Sequence, residues 1–190
     1  LAQYPINFVT TAVSQGGPLY YQYWIAPDYG TSEYGTAWNC IRDFYADNTC
    51  TWTPTNEDRY VAVVHVTDDT SLPVNRQAFA GMSIPVGCLN DHPHITSLKA
   101  DISPTPLSPG IVMFTAEANG GSVPYYFQYW VAQNDRQVKT WSIIQDFSTS
   151  GTCQWIPDEP GSYVVVVYVS ETPGIEETPP ELAGLTLVLK

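Results

Sequence analysis

An all-β fold of two successive β-sandwiches is predicted by three observations. Short runs rich in Val, Tyr, Thr, Phe and Trp are bounded by Gly, Pro, Asn and Asp. No stretch carries a convincing helical period. The chain also writes one aromatic strand twice, as "GGPLYYQYWIAP" near its start and "GGSVPYYFQYWVAQ" in its second half.

The duplication extends well beyond that strand. Trp38-Asn39-Cys40-Ile41-Arg42-Asp43-Phe44 matches Trp141-Ser142-Ile143-Ile144-Gln145-Asp146-Phe147, 103 positions later. At the same offset Cys50-Thr51-Trp52 matches Cys153-Gln154-Trp155, Tyr60–Val64 matches Tyr163–Val167, and Ala80-Gly81 matches Ala183-Gly184. Upstream, Gln22-Tyr23-Trp24 matches Gln128-Tyr129-Trp130 at an offset of 106, so copy one has three extra residues between Trp24 and Trp38. So steady a register means two homologous domains, expected at 1–87 and 95–190 with a linker at 88–94.

In copy two, strands are expected at 96–103, 110–118, 124–132, 139–147, 152–156, 161–170 and 183–190. Seven strands in under a hundred residues is the count of an immunoglobulin- or fibronectin-III-like sandwich. Copy one aligns Phe8 with Phe114 and Ala12 with Ala118, which puts Leu1 opposite Leu107. It therefore has no counterpart of "HITSLKADISPTPL" and is expected to lack its N-terminal strand. The strand left at that edge would show unpaired backbone groups, an invitation to strand addition. Two origins are open: the chain is a trimmed piece or a fragment of a longer array, or a neighbouring subunit donates the strand. Pro5 could blunt the edge. The absence of an initial Met favours a processed or excised form.

Alternation along the strands sorts residues onto two faces. Tyr125, Phe127, Tyr129 and Val131 share one side, with Tyr126, Gln128 and Trp130 on the other. Tyr163, Val165, Val167 and Val169 form one row, and Val164, Val166 and Tyr168 the other. Copy one repeats this, with Val61, Val63 and His65 beside Tyr20, Gln22 and Trp24. A sheet facing water should be polar on its outer row. Here both rows are apolar. Trp38 and Trp141 folding over the valines could cover part of that surface; the remainder exceeds what a monomer normally exposes. The expected contacts with another chain are Tyr20, Trp24, Val61 and Val63 in copy one, and Tyr126, Trp130, Val164, Val166 and Tyr168 in copy two.

Charge narrows the partners. Nineteen acidic residues against seven basic ones give a net charge of −12. No basic stripe exists to neutralise phosphates, so nucleic acid and anionic membrane surfaces are not expected partners. No apolar run is long enough to span a bilayer as a helix.

The copy-two segment "ISPTPLSPGIVMFTAEANGGSVPYYFQYWV…TWSIIQDFSTSGTCQWIPDEPGSYVVVVYV" resembles the immunoglobulin-like repeats of large bacterial surface proteins. Those repeats read S-P-x-x-x-G-x-x-V-x-F-x-A, G-G-x-x-P-Y-x-Y-x-F-W and W-x-P-x-x-x-G-x-Y, and are distantly similar to three-tyrosine-motif domains. Copy two matches over nearly its whole length. Copy one matches from Ile6 but departs from the pattern at "TNEDRY", which lacks the Gly that precedes the tyrosine in copy two. The resemblance implies an extracellular, non-catalytic module and identifies no ligand.

Chemistry is sparse. Asp43 and Asp146 occupy equivalent places in separate domains, so a turn or cross-strand hydrogen bond is expected of them rather than a catalytic pair. Asp91, His92 and His94 include donors suited to a metal, but an ordinary solvated linker is expected there. His65 is expected to be a surface or interface residue. No G-x-S-x-G, H-E-x-x-H or P-loop pattern occurs. Neither an enzyme nor a cofactor is expected, nor a small-molecule ligand. Tyr20, Trp24, Tyr126 and Trp130 could stack on sugars, but the valines beside them lack the polar groups a sugar platform uses.

Four cysteines without C-x-x-C spacing favour disulfides outside the cytosol over zinc or thioredoxin-type chemistry. Strand direction puts Cys88 and Cys153 at the same inter-domain end, which predicts a Cys88–Cys153 staple. Cys50 is left with Cys40, or with an adjacent subunit. Together these features predict a self-associating extracellular structural subunit of a fibre or surface layer, with or without a donated strand. The alternatives are a spacer or glycan-binding piece of a larger adhesin or enzyme, and a sensory ectodomain.

Overall fold

The computed structural model describes residues 4–14, 16–27, 38–72, 77–87, 92–105, 108–134, 140–174 and 181–189. It is all-β, with several antiparallel sheets and no helix among the described residues. The chain divides into two compact units, Leu1–Leu89 and Asn90–Lys190.

Unit 1 contains β1 (Ile6–Val9), β2 (Tyr20–Pro27), β3 (Asn39–Tyr45), β4 (Thr49–Trp52), β5 (Asp58–Thr67) and β6 (Ala78–Val86). Unit 2 contains β7 (His94–Thr105), β8 (Ser108–Asn119), β9 (Tyr126–Gln133), β10 (Ser142–Ser148), β11 (Thr152–Trp155), β12 (Gly161–Ser170) and β13 (Glu181–Leu189). Strand positions follow the expected runs, with shifted ends. The strand expected from residue 139 opens at Ser142, and the one expected from residue 96 opens at His94. Pro93, expected in a solvated linker, is buried, and residues 88–91 lie outside the described residues.

The units repeat one pairing scheme. In unit 1 β6, β5, β2 and β3 follow one another in a sheet, and β1 pairs with β4. In unit 2 β13, β12, β9 and β10 do the same, and β8 pairs with β11. Phe8 lies opposite Cys50 just as Phe114 lies opposite Cys153. β-branched runs such as "YVVVVYV" suit the pleat, because branched side chains pack well on both of its faces. Gly120 ends β8 at a φ of +80°, in the left-handed region, where a Cβ would stand 2.6 Å from the His92 carbonyl oxygen.

The facing rows of the two sheets make each core. In unit 2 Val112, Phe114, Tyr129, Val165 and Val167 are fully buried. Phe114 stacks with Tyr129 and Trp155 at centroid distances of 6.0 and 6.3 Å. In unit 1 Tyr21, Tyr23, Cys50, Val64 and Val66 form one cluster, and Ile25, Tyr60 and Ala62 another, with Phe8 packed against both. Each unit anchors its central tyrosine alike. Tyr129 Oη donates to the Gly151 carbonyl at 2.6 Å, and Tyr23 Oη to the Asn48 carbonyl at 2.5 Å.

The units differ at one edge. β8 pairs with β7 on the side away from β11, from His94↔Asn119 to Thr105↔Ser108. Among the described residues β1 pairs with β4 alone, and no strand of unit 1 takes the place of β7. The core beneath is correspondingly open: Val112 and Phe114 are 0% exposed, whereas their counterparts Ile6 and Phe8 are only half-buried.

Candidate interaction surfaces

On β2 and β9 the row facing away from the core holds Tyr20, Gln22 and Trp24, and Tyr126, Gln128 and Trp130. Register sets Trp24 beside Val63 and Cys40, and Trp130 beside Val166 and Ile143. Tyr20, Trp24, Val63, Tyr126, Trp130, Val166 and Tyr168 are half-buried. They keep a partly exposed apolar band along each outer face.

Val61 and Val164 do not belong to that band. They are 9% and 1% exposed, which corrects their expected role as contacts. Val61 lies opposite Ala26 and Val164 opposite Ala132. Ile25 pairs with Asn39 and Val131 with Ser142, so Trp38 and Trp141 take the register positions next to those two alanines. Trp141 itself stays 39% exposed.

Each tryptophan of the band is held by a relay of polar groups. Trp24 Nε1 donates to Gln22 Oε1 at 2.8 Å, and Gln22 Nε2 donates to Asp43 Oδ1 at 2.8 Å. In unit 2 Trp130 Nε1 donates to Gln128 Oε1 at 2.8 Å, and Gln128 Nε2 to Asp146 Oδ1 at 2.9 Å. The Phe44 and Phe147 amides donate to the same carboxylate oxygens at 2.8 Å. These amide donors, and after them the glutamines, hold both aspartates below the usual carboxylate range. The expected cross-strand hydrogen bond is therefore formed. The glutamine–indole link was not foreseen, although both Gln-x-Trp pairs recur with their Asp in the repeat.

His65 stands in the same outer row of unit 1, with its ring 6.3 Å from Phe79 and its backbone opposite Gln22. Its Nδ1 is buried without a hydrogen bond, and desolvation pushes its pKa below the ordinary value. Unit 2 has Tyr168 at the equivalent position. A neutral histidine favoured by folding means that the unfolded chain takes up the proton first. Unit 1 should therefore lose stability as pH falls below about 6.5, and regain it as pH rises. The expected result is an acid-side slope in the melting of unit 1 that His65→Tyr flattens. Melting followed at several pH values checks it.

Cys40, Cys50 and Cys153 are free thiols, and Cys88 lies outside the described residues. The expected Cys40–Cys50 bond is not formed in this structure, and the expected Cys88–Cys153 pairing lies outside the described residues. Cys40 sits on β3 opposite Trp24, whereas Cys50 sits on β4 in the other sheet of unit 1, within the core cluster. Cys153 points into the core of unit 2, and burial pushes its thiol up to about 11.

Asp91 lies outside the described residues. Among the described residues no group of three or more His, Cys, Asp and Glu could hold a metal ion. The described residues form no helix long and apolar enough to cross a membrane. Unit 2 also has a cleft of about 370 Å³ where Trp155 and Tyr163 meet Gln133, Thr140, Asp158 and Glu159. Tyr163 Oη donates to the Glu159 carbonyl at 2.7 Å and its ring meets Trp155 edge-on at 4.9 Å. Sequence reading missed this cleft, because its lining comes from four separate segments. No family model matches the chain, and no curated protein matches it.

Proposed function

We propose that this chain is a non-catalytic extracellular structural subunit, built of two immunoglobulin-like sandwiches, that associates with copies of itself into a fibre or surface layer. The observation that carries the proposal is the outer band itself. The same half-exposed row of Tyr, Trp and Val recurs in both units, with each indole held by the same relay. Aromatic rings fixed before contact lose little entropy on association, which suits them to a permanent interface. The immunoglobulin-like reading draws support from the bonds of Tyr60 and Tyr163 back to the carbonyls of Asn56 and Glu159, four residues upstream. A tyrosine near the start of the sixth strand of such sandwiches bonds in this way. The extracellular assignment rests on the resemblance to bacterial surface repeats.

Sedimentation tests the proposal. At micromolar concentration the unmodified chain should run as an oligomer or polymer. Val63→Glu with Val166→Glu should weaken association by at least about tenfold, or roughly 1.4 kcal/mol, without unfolding either unit. A clean monomer for the unmodified chain would sink the idea. The cleft of unit 2 favours a second reading, a glycan-binding module, since it joins an aromatic wall to carboxylates and an amide. In that case Trp155 fluorescence should change on titration with oligosaccharides, while the chain sediments as a monomer.

A further inference from the structure

Where β8 ends, the chain reads Asn119-Gly120-Gly121. Asn119 alone among the asparagines of the sequence is followed by glycine. An asparagine side-chain amide can be attacked by the backbone nitrogen of the next residue, and a glycine there puts no side chain in the way. The counterpart in unit 1 is Val13-Ser14, which has no side-chain amide to attack.

The fold brings the reacting groups together. The Gly120 amide donates to Asn119 Oδ1 at 2.8 Å, so the carbon bonded to that oxygen lies within about 4 Å of the nitrogen. Groups poised to react stand about 3–3.5 Å apart. Asn119 is exposed, so its side chain is free to turn about Cβ–Cγ and present the carbonyl face. Gly120 is fixed, because Tyr125 Oη donates to its carbonyl at 2.6 Å. A base lies beside it. His94 sits opposite Asn119 in the β7–β8 ladder, and its Nδ1 stands 3.0 Å from where a Cβ of Gly120 would be. A single water can link that imidazole to the Gly120 amide.

We infer that Asn119 is a self-modifying site, which the chain converts to aspartate and isoaspartate through a cyclic imide with Gly120, with water as the only co-reactant. The Gly120 nitrogen gives its proton through a water to His94 and bonds to Asn119 Cγ. The Cγ–Nδ2 bond breaks, the proton returns from the imidazolium, and ammonia leaves. Water then opens the imide at Cγ to give aspartate, or at the main-chain carbonyl to give isoaspartate. Nothing is oxidised or reduced. Either product puts a carboxylate at a neutral position, and isoaspartate also adds a methylene to the backbone. His94↔Asn119 is the end pair of the ladder, and the buried Ile95 follows directly. Modification should therefore loosen the start of β7. The inference uses no residue of the outer faces and is independent of the proposed association.

Incubation of the full chain at neutral pH, followed by peptide mapping with isoaspartate detection, tests it. Asn119 should convert ahead of every other asparagine, and the modified chain should exchange its Ile95 amide faster. His94→Gln should slow conversion on the order of tenfold in the folded chain. In denaturant, where the ring no longer sits beside Gly120, the same substitution should leave the rate unchanged. Asn119→Gln, whose longer side chain closes a larger ring more slowly, should stay intact and keep the exchange pattern of fresh chain. No conversion at Asn119, or conversion behind another asparagine, would overturn the inference. Equal folded-state rates with and without His94 would overturn its role as the base.

Discussion

Phe114→Ala will destabilise unit 2 by about 3–5 kcal/mol, while Phe8→Ala will cost unit 1 less than half as much. The two rings are counterparts. Each lies opposite a cysteine, Cys153 or Cys50, and each packs on the central tyrosine, with centroids 6.0 Å apart for Phe114–Tyr129 and 6.2 Å for Phe8–Tyr23. What differs is the cover. Phe114 is 0% exposed beneath β7, so truncation leaves a cavity that rigid neighbours cannot close. Phe8 is half-buried, so water already meets one side of it and less transfer energy is at stake. Denaturant unfolding followed by amide exchange resolves the two units separately. Equal costs would mean that Phe8 is as well covered in solution as Phe114.

The fold was legible because the chain states it twice. Alternation in "YYQYW" and "YVAVV" assigns inner and outer rows without ambiguity, since a slip of one residue would expose the whole buried set. That the described residues of unit 1 hold no counterpart of β7 was visible for the same reason: copy two supplied the ruler. What stayed hidden depends on side-chain direction. Nothing in the spacing says that Val61 and Val164 are buried while Val63 and Val166 of the same rows stay half-buried, because a row lists neighbours without saying which leans over which. The cysteines misled through a similar gap. Strand direction gave Cys50 and Cys153 an end of the fold and left Cys40 as the remaining partner of Cys50, but whether two thiols bond depends on Cα separation and side-chain direction, which spacing does not state. The strand ends were misplaced by a few residues where turn residues continue the pleat, as at His94 and Thr105.

Gln128→Leu will destabilise unit 2 by about 1–3 kcal/mol, and Gln22→Leu unit 1 by a comparable amount. Gln128 is 5% exposed and satisfies two partners at once, accepting from the Trp130 indole and donating to Asp146. Leucine keeps the volume and loses both bonds. Asp146 is exposed and recovers water; the half-buried indole N–H of Trp130 has less access to it. The cost therefore falls mainly on the indole, and the band it belongs to should loosen. Acid titration separates this from a packing defect. The Asp146 carboxylate is held below its usual range, first by the Phe147 amide and then by Gln128, so its contribution is present above about pH 4 and is lost as pH falls through the lowered value. Without Gln128 the carboxylate should titrate closer to its ordinary value, and the acid-side loss of stability in unit 2 should shrink. Nuclear magnetic resonance titration of Asp146 and melting of both variants between pH 2 and 7 read the two effects. An unchanged Asp146 titration in Gln128→Leu would mean that the Phe147 amide alone sets that carboxylate, with the relay serving only the tryptophan. A loss of stability with no change in Trp130 exposure would reject the relay as the device that fixes the outer band.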